Sequence, residues 1–173
     1  MFNFKNHFSF QKLESKYILI DLLCNCEYGN TILSGYEQKK FYILKYAINE
    51  NCVSPCFGLG IMCQSELSYT KNIIHIENEN SLIIFFDNML IKYTLFNKVL
   101  TQDYSLQMPS YIFALKQMDK KVIIIHEIGA VILDSKNGEV IENHDTDVIT
   151  NYEFKDNFLE LHDMSDVTVV INI

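Results

Sequence analysis

Arginine and tryptophan are absent from this 173-residue sequence, and proline occurs only twice. All fourteen basic residues are lysine. The planar guanidinium fork that grips phosphate with two hydrogen bonds and reads guanine in the major groove is therefore missing, which argues against nucleic-acid binding and phosphoryl transfer. Long apolar runs are missing as well. The best candidate, Tyr17 to Cys24, is too short to span a bilayer, is interrupted by Asp21, and has no small-residue cleavage site behind a long apolar core. A cytoplasmic protein with no membrane partner is expected. Five cysteines, an odd number without a secretory signal, read as reduced thiols. There is no low-complexity linker and aromatic residues make up 13% of the chain, so the expectation is one folded domain over residues 1–173.

What is present is β-structure. In Lys121 to Glu142, KVIIIHEIGAVILDSKNGEVIE, a β-branched run (Val122–Ile125) meets a turn at Glu127-Ile128-Gly129. A second run (Ala130–Leu133) then meets Asn137-Gly138, a pair suited to a type I′ hairpin turn because both central residues there need positive φ. The pattern recurs. A shift of 40 residues lays Leu82–Asp87 over Val122–Glu127 and Ile91 over Val131; a shift of 36 lays Phe158–Asp163 over the same segment, with His162 on His126. The reading is an all-β chain of antiparallel meander repeats about 36–40 residues long that bury their faces on one another. Phe85, Ile124, Val131, Leu133, Leu161 and Val169 are the expected core.

The segment VIIIHEIGAVILDSKNGEVIEN resembles a β-propeller blade, in which two inner strands are followed by a turn of the form Asp-x-x-x-Gly-x-x-Val; Asp134, Gly138 and Ile141 stand near those places. The likeness covers Ile73 to Ile173 and implies a propeller-like fold of about four blades at most. The chain departs from the best-known propeller signature in having no Trp-Asp pair. A β-sandwich or a curled β-barrel is the alternative architecture.

Outside the repeats, the alternation of Phe2, Phe4, Phe8 and Phe10 with polar residues reads as a half-buried strand. Lys40 to Ile48 reads as a strand in a less regular meander unit, and Asn49 to Thr70 as a long connection or irregular edge hairpin. Gly58-Leu59-Gly60 lacks the third glycine and the strand-helix context of a dinucleotide-binding turn, so both glycines read as turn residues. Asp134 to Gly138 reads as a hairpin tip rather than a calcium loop, because Lys136 intrudes and the glycine comes one place early.

Chemistry is sparse. The cysteines at 24, 26, 52, 56 and 63 could supply thiolates to zinc, but their spacing suits buried free thiols better. No metal or other cofactor is expected. His126 and His162 hold equivalent repeat positions, each followed by an acid, and could share a metal or move a proton if their units lie side by side; a small enzyme or metal-binding domain using them is the alternative function. The loop His144-Asp145-Thr146-Asp147 is polar but lies in no catalytic pattern. No catalytic site is expected.

Charge is the informative feature. Residues 1–138 hold thirteen acids and thirteen lysines, whereas residues 139–173 hold nine acids and Lys155, so the net charge of −8 resides in the final 35 residues. Glu142, Asp145, Asp147, Glu153, Asp156, Asp163 and Asp166 are the candidate partner-binding residues, since clustered carboxylates steer a basic protein into contact. In overall character the chain is similar to the small acidic immunity proteins that neutralise nuclease-type bacterial toxins. That resemblance implies a protein-binding module for a basic partner.

Overall fold

A computed structural model describes residues 7–34, 36–47, 56–96 and 99–173. The chain groups into two compact units, Met1–Gln107 and Met108–Ile173, and each is built in its own way.

In the first unit, β1 (Phe8–Leu13), α1 (Lys16–Cys24), β2 (Tyr28–Leu33), β3 (Lys40–Tyr46) and β4 (Phe57–Cys63) form a helix-covered sheet of order β1-β3-β4-β2. The pairs β1–β3 and β3–β4 are antiparallel, but β2 runs parallel to β4, from Tyr28 opposite Phe57 to Leu33 opposite Met62. The apolar run at Tyr17 to Cys24 is helical because Ser15 caps it, its side chain accepting a hydrogen bond from the Ile18 N–H at 3.4 Å. Leu19, fully buried, packs with Leu22 and Leu23 into one cluster, the spacing of a single helix face.

The segment expected to be a connection or edge hairpin holds β4, buried at every residue and flanked by strands on both sides. Its glycines are not turn residues. A Cβ at Gly60 would lie 2.9 Å from Leu23 Cδ1 and 3.1 Å from Leu19 Cδ1, and one at Gly58 would lie 2.5 Å from Cys26 Sγ. They are glycines because α1 lies directly on that face of the strand. Cys52 and Pro55, like Phe2, Phe4 and Gly35, lie outside the described residues.

The rest of the unit follows the repeat. After α2 (Tyr69–Asn72), the strands β5 (Ile73–Ile76), β6 (Ser81–Phe86), β7 (Met89–Phe96) and β8 (Val99–Gln107) form an antiparallel meander in sequence order. Asp87, in the β6–β7 turn, is buried. Its carboxylate accepts from the backbone N–H groups of Gln64 at 2.9 Å and Ser65 at 2.8 Å. Burial pushes that carboxyl up, but the hydrogen bonds from Gln64, Ser65 and Ser34 together hold it below its ordinary range.

The second unit contains two more meanders. The strands β9 (Ile112–Met118), β10 (Lys121–His126), β11 (Gly129–Asp134) and β12 (Val140–Asp145) form one sheet, and β13 (Ile149–Phe154), β14 (Phe158–Asp163) and β15 (Thr168–Asn172) the other. The all-β reading is thus the observed fold, and the strands that the two shifts superimpose, β6, β10 and β14, are each the second strand of their sheet. Consecutive antiparallel strands lying side by side is also the order within a propeller blade. Phe85, Ile124, Val131, Leu133 and Leu161 are buried, while Val169 is half-buried. Ile123, Ile125, Ile132, Leu159, Leu161 and Ile171 share one apolar cluster between these two sheets.

The hairpin between β11 and β12 forms where expected but is not a type I′ turn. Gly138 has positive φ (74°) and Asn137 does not. The loop spans five residues, too many for a two-residue turn, and Asp134 closes it: its Oδ1 accepts from the N–H groups of Lys136 (2.8 Å) and Asn137 (3.2 Å), and its carbonyl from Gly138 (3.0 Å).

Candidate functional site

The acidic residues of the second unit come mainly from its turns, strand ends and edge strands, and its charge is lopsided. Residues 108–173 hold five lysines against twelve acids, a net of −7, whereas residues 1–107 hold nine against ten. The candidate partner-binding acids fall toward one or other end of the six-residue strand β13, whose ends are about 17 Å apart at the usual strand rise.

At one end, the loop after β12 and the turn between β14 and β15 are tied together. The Met164 N–H donates to the Val148 carbonyl at 2.9 Å, and Ser165 Oγ donates to Asp147 Oδ2 at 2.8 Å. Asp147 also accepts from the Val148 N–H at 2.8 Å. The Ser165 bond first, then the Val148 bond, keep its carboxyl below the ordinary aspartate range. Asp145, Asp147 and Asp166 are all exposed here. Beside them in sequence, Met164 is 66% and Val167 50% exposed, so this end presents apolar side chains among carboxylates. Glu142 is half-buried on β12 and accepts from or shares a proton with His144 Nε2 at 3.0 Å.

Asp163 does not join this surface. It is buried at 8% exposure, and its Oδ1 accepts from the backbone N–H groups of Ser165 (2.9 Å) and Val167 (3.0 Å). It shapes the turn that displays Asp166, whose φ of 59° is a left-handed conformation that aspartate tolerates better than most residues.

At the other end, Glu153 and Asp156 are exposed, but Lys155 sits among the acids: its Nζ is 2.8 Å from Glu160 and 3.6 Å from Glu153. Lys155 also lies over the Phe158 ring at 5.3 Å. That end carries its own counter-charge.

The two histidines are held in different sheets by different partners. His126, 1% exposed at the end of β10, shares a hydrogen bond with Ser110 Oγ through Nδ1 at 3.0 Å. Its Nε2 is buried without a hydrogen-bond partner among the described residues. Burial lowers its pKa, partly opposed by the charge of Asp145. His162, half-buried on β14, shares a hydrogen bond with Thr168 Oγ1 at 3.0 Å. Ser110, His126 and Asp145 are nucleophile, base and acid by residue type, but an imidazole shut away from solvent is a core histidine held neutral. Nothing in the sequence marked Ser110 as its partner.

The cysteines are spread over the first unit: Cys24 is exposed, Cys26 half-buried, and Cys56 and Cys63 buried. Burial pushes the Cys63 thiol up to about 12. Among the described residues no three metal-ligating side chains come together, and no helix is long and apolar enough to cross a membrane.

No protein-family model matches the chain, and no curated protein matches it in sequence. Among solved structures, it is similar to Kluyveromyces lactis Hsv2 with a complete loop 6CD, at 12% identity over 58% of this chain and 31% of that one, with a TM-score of 0.36. It is also similar to the same protein with loop 6CD replaced by a Gly-Ser linker (13% identity, 58% and 34% covered, TM-score 0.35). For Hsv2 of Kluyveromyces marxianus the identity is 11%, with 60% and 36% covered and a TM-score of 0.36. The chain spans about a third of the length of these structures.

Proposed function

We propose that this chain is a protein-binding module that neutralises a basic protein, a nuclease-type bacterial toxin domain being the partner whose chemistry fits best. The observation that carries the reading is the end of the second unit where Asp145, Asp147 and Asp166 are exposed beside Met164 and Val167. A nuclease domain is basic where it grips phosphates. Carboxylates presented on a fixed turn can occupy that surface, and their field accelerates encounter. Exposed apolar side chains among them supply the desolvated contact that charge alone does not. Glu153 and Glu160 are less suited, being already paired with Lys155.

The test uses conservative neutralisation, because Asp147 holds a loop and Asp166 has positive φ, and asparagine can do both. With the captured basic partner identified, association is followed by stopped-flow at rising salt. The rate should fall steeply with salt, and the triple variant Asp145→Asn, Asp147→Asn, Asp166→Asn should associate about tenfold more slowly or worse at low salt. Equal slowing by Glu153→Gln with Asp156→Asn would move recognition away from the turn, and no effect from either set would end the reading.

A further inference from the structure

Among the described residues, the β5–β8 and β9–β12 meanders each have four strands, whereas the β13–β15 meander has three. By the repeat, β15 corresponds to β7 and β11, so its outer side is where the other two sheets place β8 and β12. The hydrogen-bond phase shows which groups face that side. The Ile173 N–H donates to the Asn157 carbonyl at 3.0 Å and the Asp163 N–H to the Val167 carbonyl at 3.1 Å. With the register Leu159 to Ile171 and Leu161 to Val169, the odd-numbered residues of β15 turn their backbone toward β14. Thr168, Val170 and Asn172 turn theirs outward.

Natural sheet edges are blunted by charge, proline or bulges. Of the four strands that border the two sheets of this unit, β9 contains Lys116, β12 contains Glu142 and Asp145, and β13 contains Glu153. Each of the three also has a register shift against its neighbour. The strand β15, Thr-Val-Val-Ile-Asn, has no charge, and its register is unbroken. Val170 at its middle is 57% exposed.

We propose that β15 pairs antiparallel with the β15 of a second copy about a two-fold axis at Val170, joining two three-stranded sheets into one of six. Val170 then faces its own equivalent and Thr168 faces Asn172, and the outward groups of these residues form about six backbone hydrogen bonds. The occupant is a second copy rather than a cationic strand. The strand itself is uncharged, and the carboxylate paired beside Val170, Glu160, is already held by Lys155 at 2.8 Å. An isologous pairing needs only this edge, which is its own complement. Because the second unit of each copy carries a net −7, the copies repel at low ionic strength, so salt strengthens the pairing. That sign is opposite to the one expected for capture of a basic protein, and the pairing does not depend on that capture.

The experiment is sedimentation velocity on the full chain from micromolar to millimolar concentration at low and high salt, with amide exchange followed at residues 168–172. A dimer that grows with concentration and with salt, and that slows exchange at Thr168, Val170 and Asn172, is expected. Val170→Lys, at an exposed site that tolerates the side chain, and Val170→Pro, which removes an outward donor, should each weaken it by about tenfold or more. Val140→Lys, on the 60% exposed position of the charged edge β12, should leave it unchanged. Circular dichroism confirms that the variants are folded, and Val170→Lys decides the matter if the proline variant is not. A monomer at every concentration, a dimer indifferent to both Val170 variants, or one that dissociates as salt rises overturns the proposal.

Discussion

The β1–β4 sheet and the β9–β12 sheet have four strands each and are assembled by opposite means. In the second, every strand pairs with its neighbour in sequence, and short polar turns decide the register. In the first, β2 skips β3 to lie parallel to β4, and the sheet is fixed by the fit of a helix to a strand: Leu19 and Leu23 of α1 occupy the space that Gly60 leaves. One sheet is specified by local turn chemistry and the other by contacts between residues far apart in sequence.

That contrast can be broken at several points. The largest effect should come from the meander core. Ile124 is fully buried on β10, so Ile124→Ala should cost about 2–5 kcal/mol in denaturant unfolding, and a near-zero change would mean that the repeats do not build the core. Next is Asp87→Ala, which orphans the Gln64 and Ser65 N–H groups and should cost about 2–3 kcal/mol. Asp87 also gives a pH signature. Its folded pKa is depressed, so its contribution is complete above the ordinary aspartate pKa and disappears as pH falls through the lower folded value; Asp87→Ala should flatten the acid limb of the stability profile. Gly60→Ala should follow at about 1–3 kcal/mol, because the methyl group must displace Leu23 and Leu19. Relief of that loss by Leu23→Val would place the strain between helix and strand, whereas no relief would put it in the β4 backbone.

The smallest expected effect is that of His126. Its folded pKa is lowered by burial, so the unfolded chain takes up its proton first as pH falls. Stability tied to neutral His126 is complete above the ordinary histidine range and declines as pH falls through that range toward the folded value. A denaturation series from pH 7.5 to 5.5, at about one unit either side of the reference value, should show that slope, and His126→Gln should remove it.

The same contrast explains what could be read from the chain. Strands β6, β7, β10, β11, β14 and β15 were legible because apolar runs alternate with turns that announce themselves at Asp87-Asn88, Gly129 and Asp163. The helix α1 was not, since Tyr17, Ile18 and Ile20 are exposed and the run has no polar face to betray its period. The strand β4 was hidden by its glycines, whose purpose is visible only with α1 in place. In the candidate site, the charge bias was legible, and Asp145, Asp147 and Asp166, singled out from it, are exposed. The burial of Asp163 was not, because a carboxylate that folds back onto its own turn has the same letter as one that faces solvent. Nor was the link from Asp147 to Ser165, which needs the two loops brought side by side.

The parallel pairing of β2 with β4 also sets an order of events. The hairpins of the meanders close within a few residues of their turns, whereas Tyr28 must wait for Phe57 before its strand has a partner, and such distant closures are slow. On a ribosome, which releases the chain from its N-terminus at a finite pace, α1 and β2 emerge before β4 and find their places late. During that interval Leu19, Leu22 and Leu23 are uncovered, and chaperone binding or misassembly would begin at this stretch.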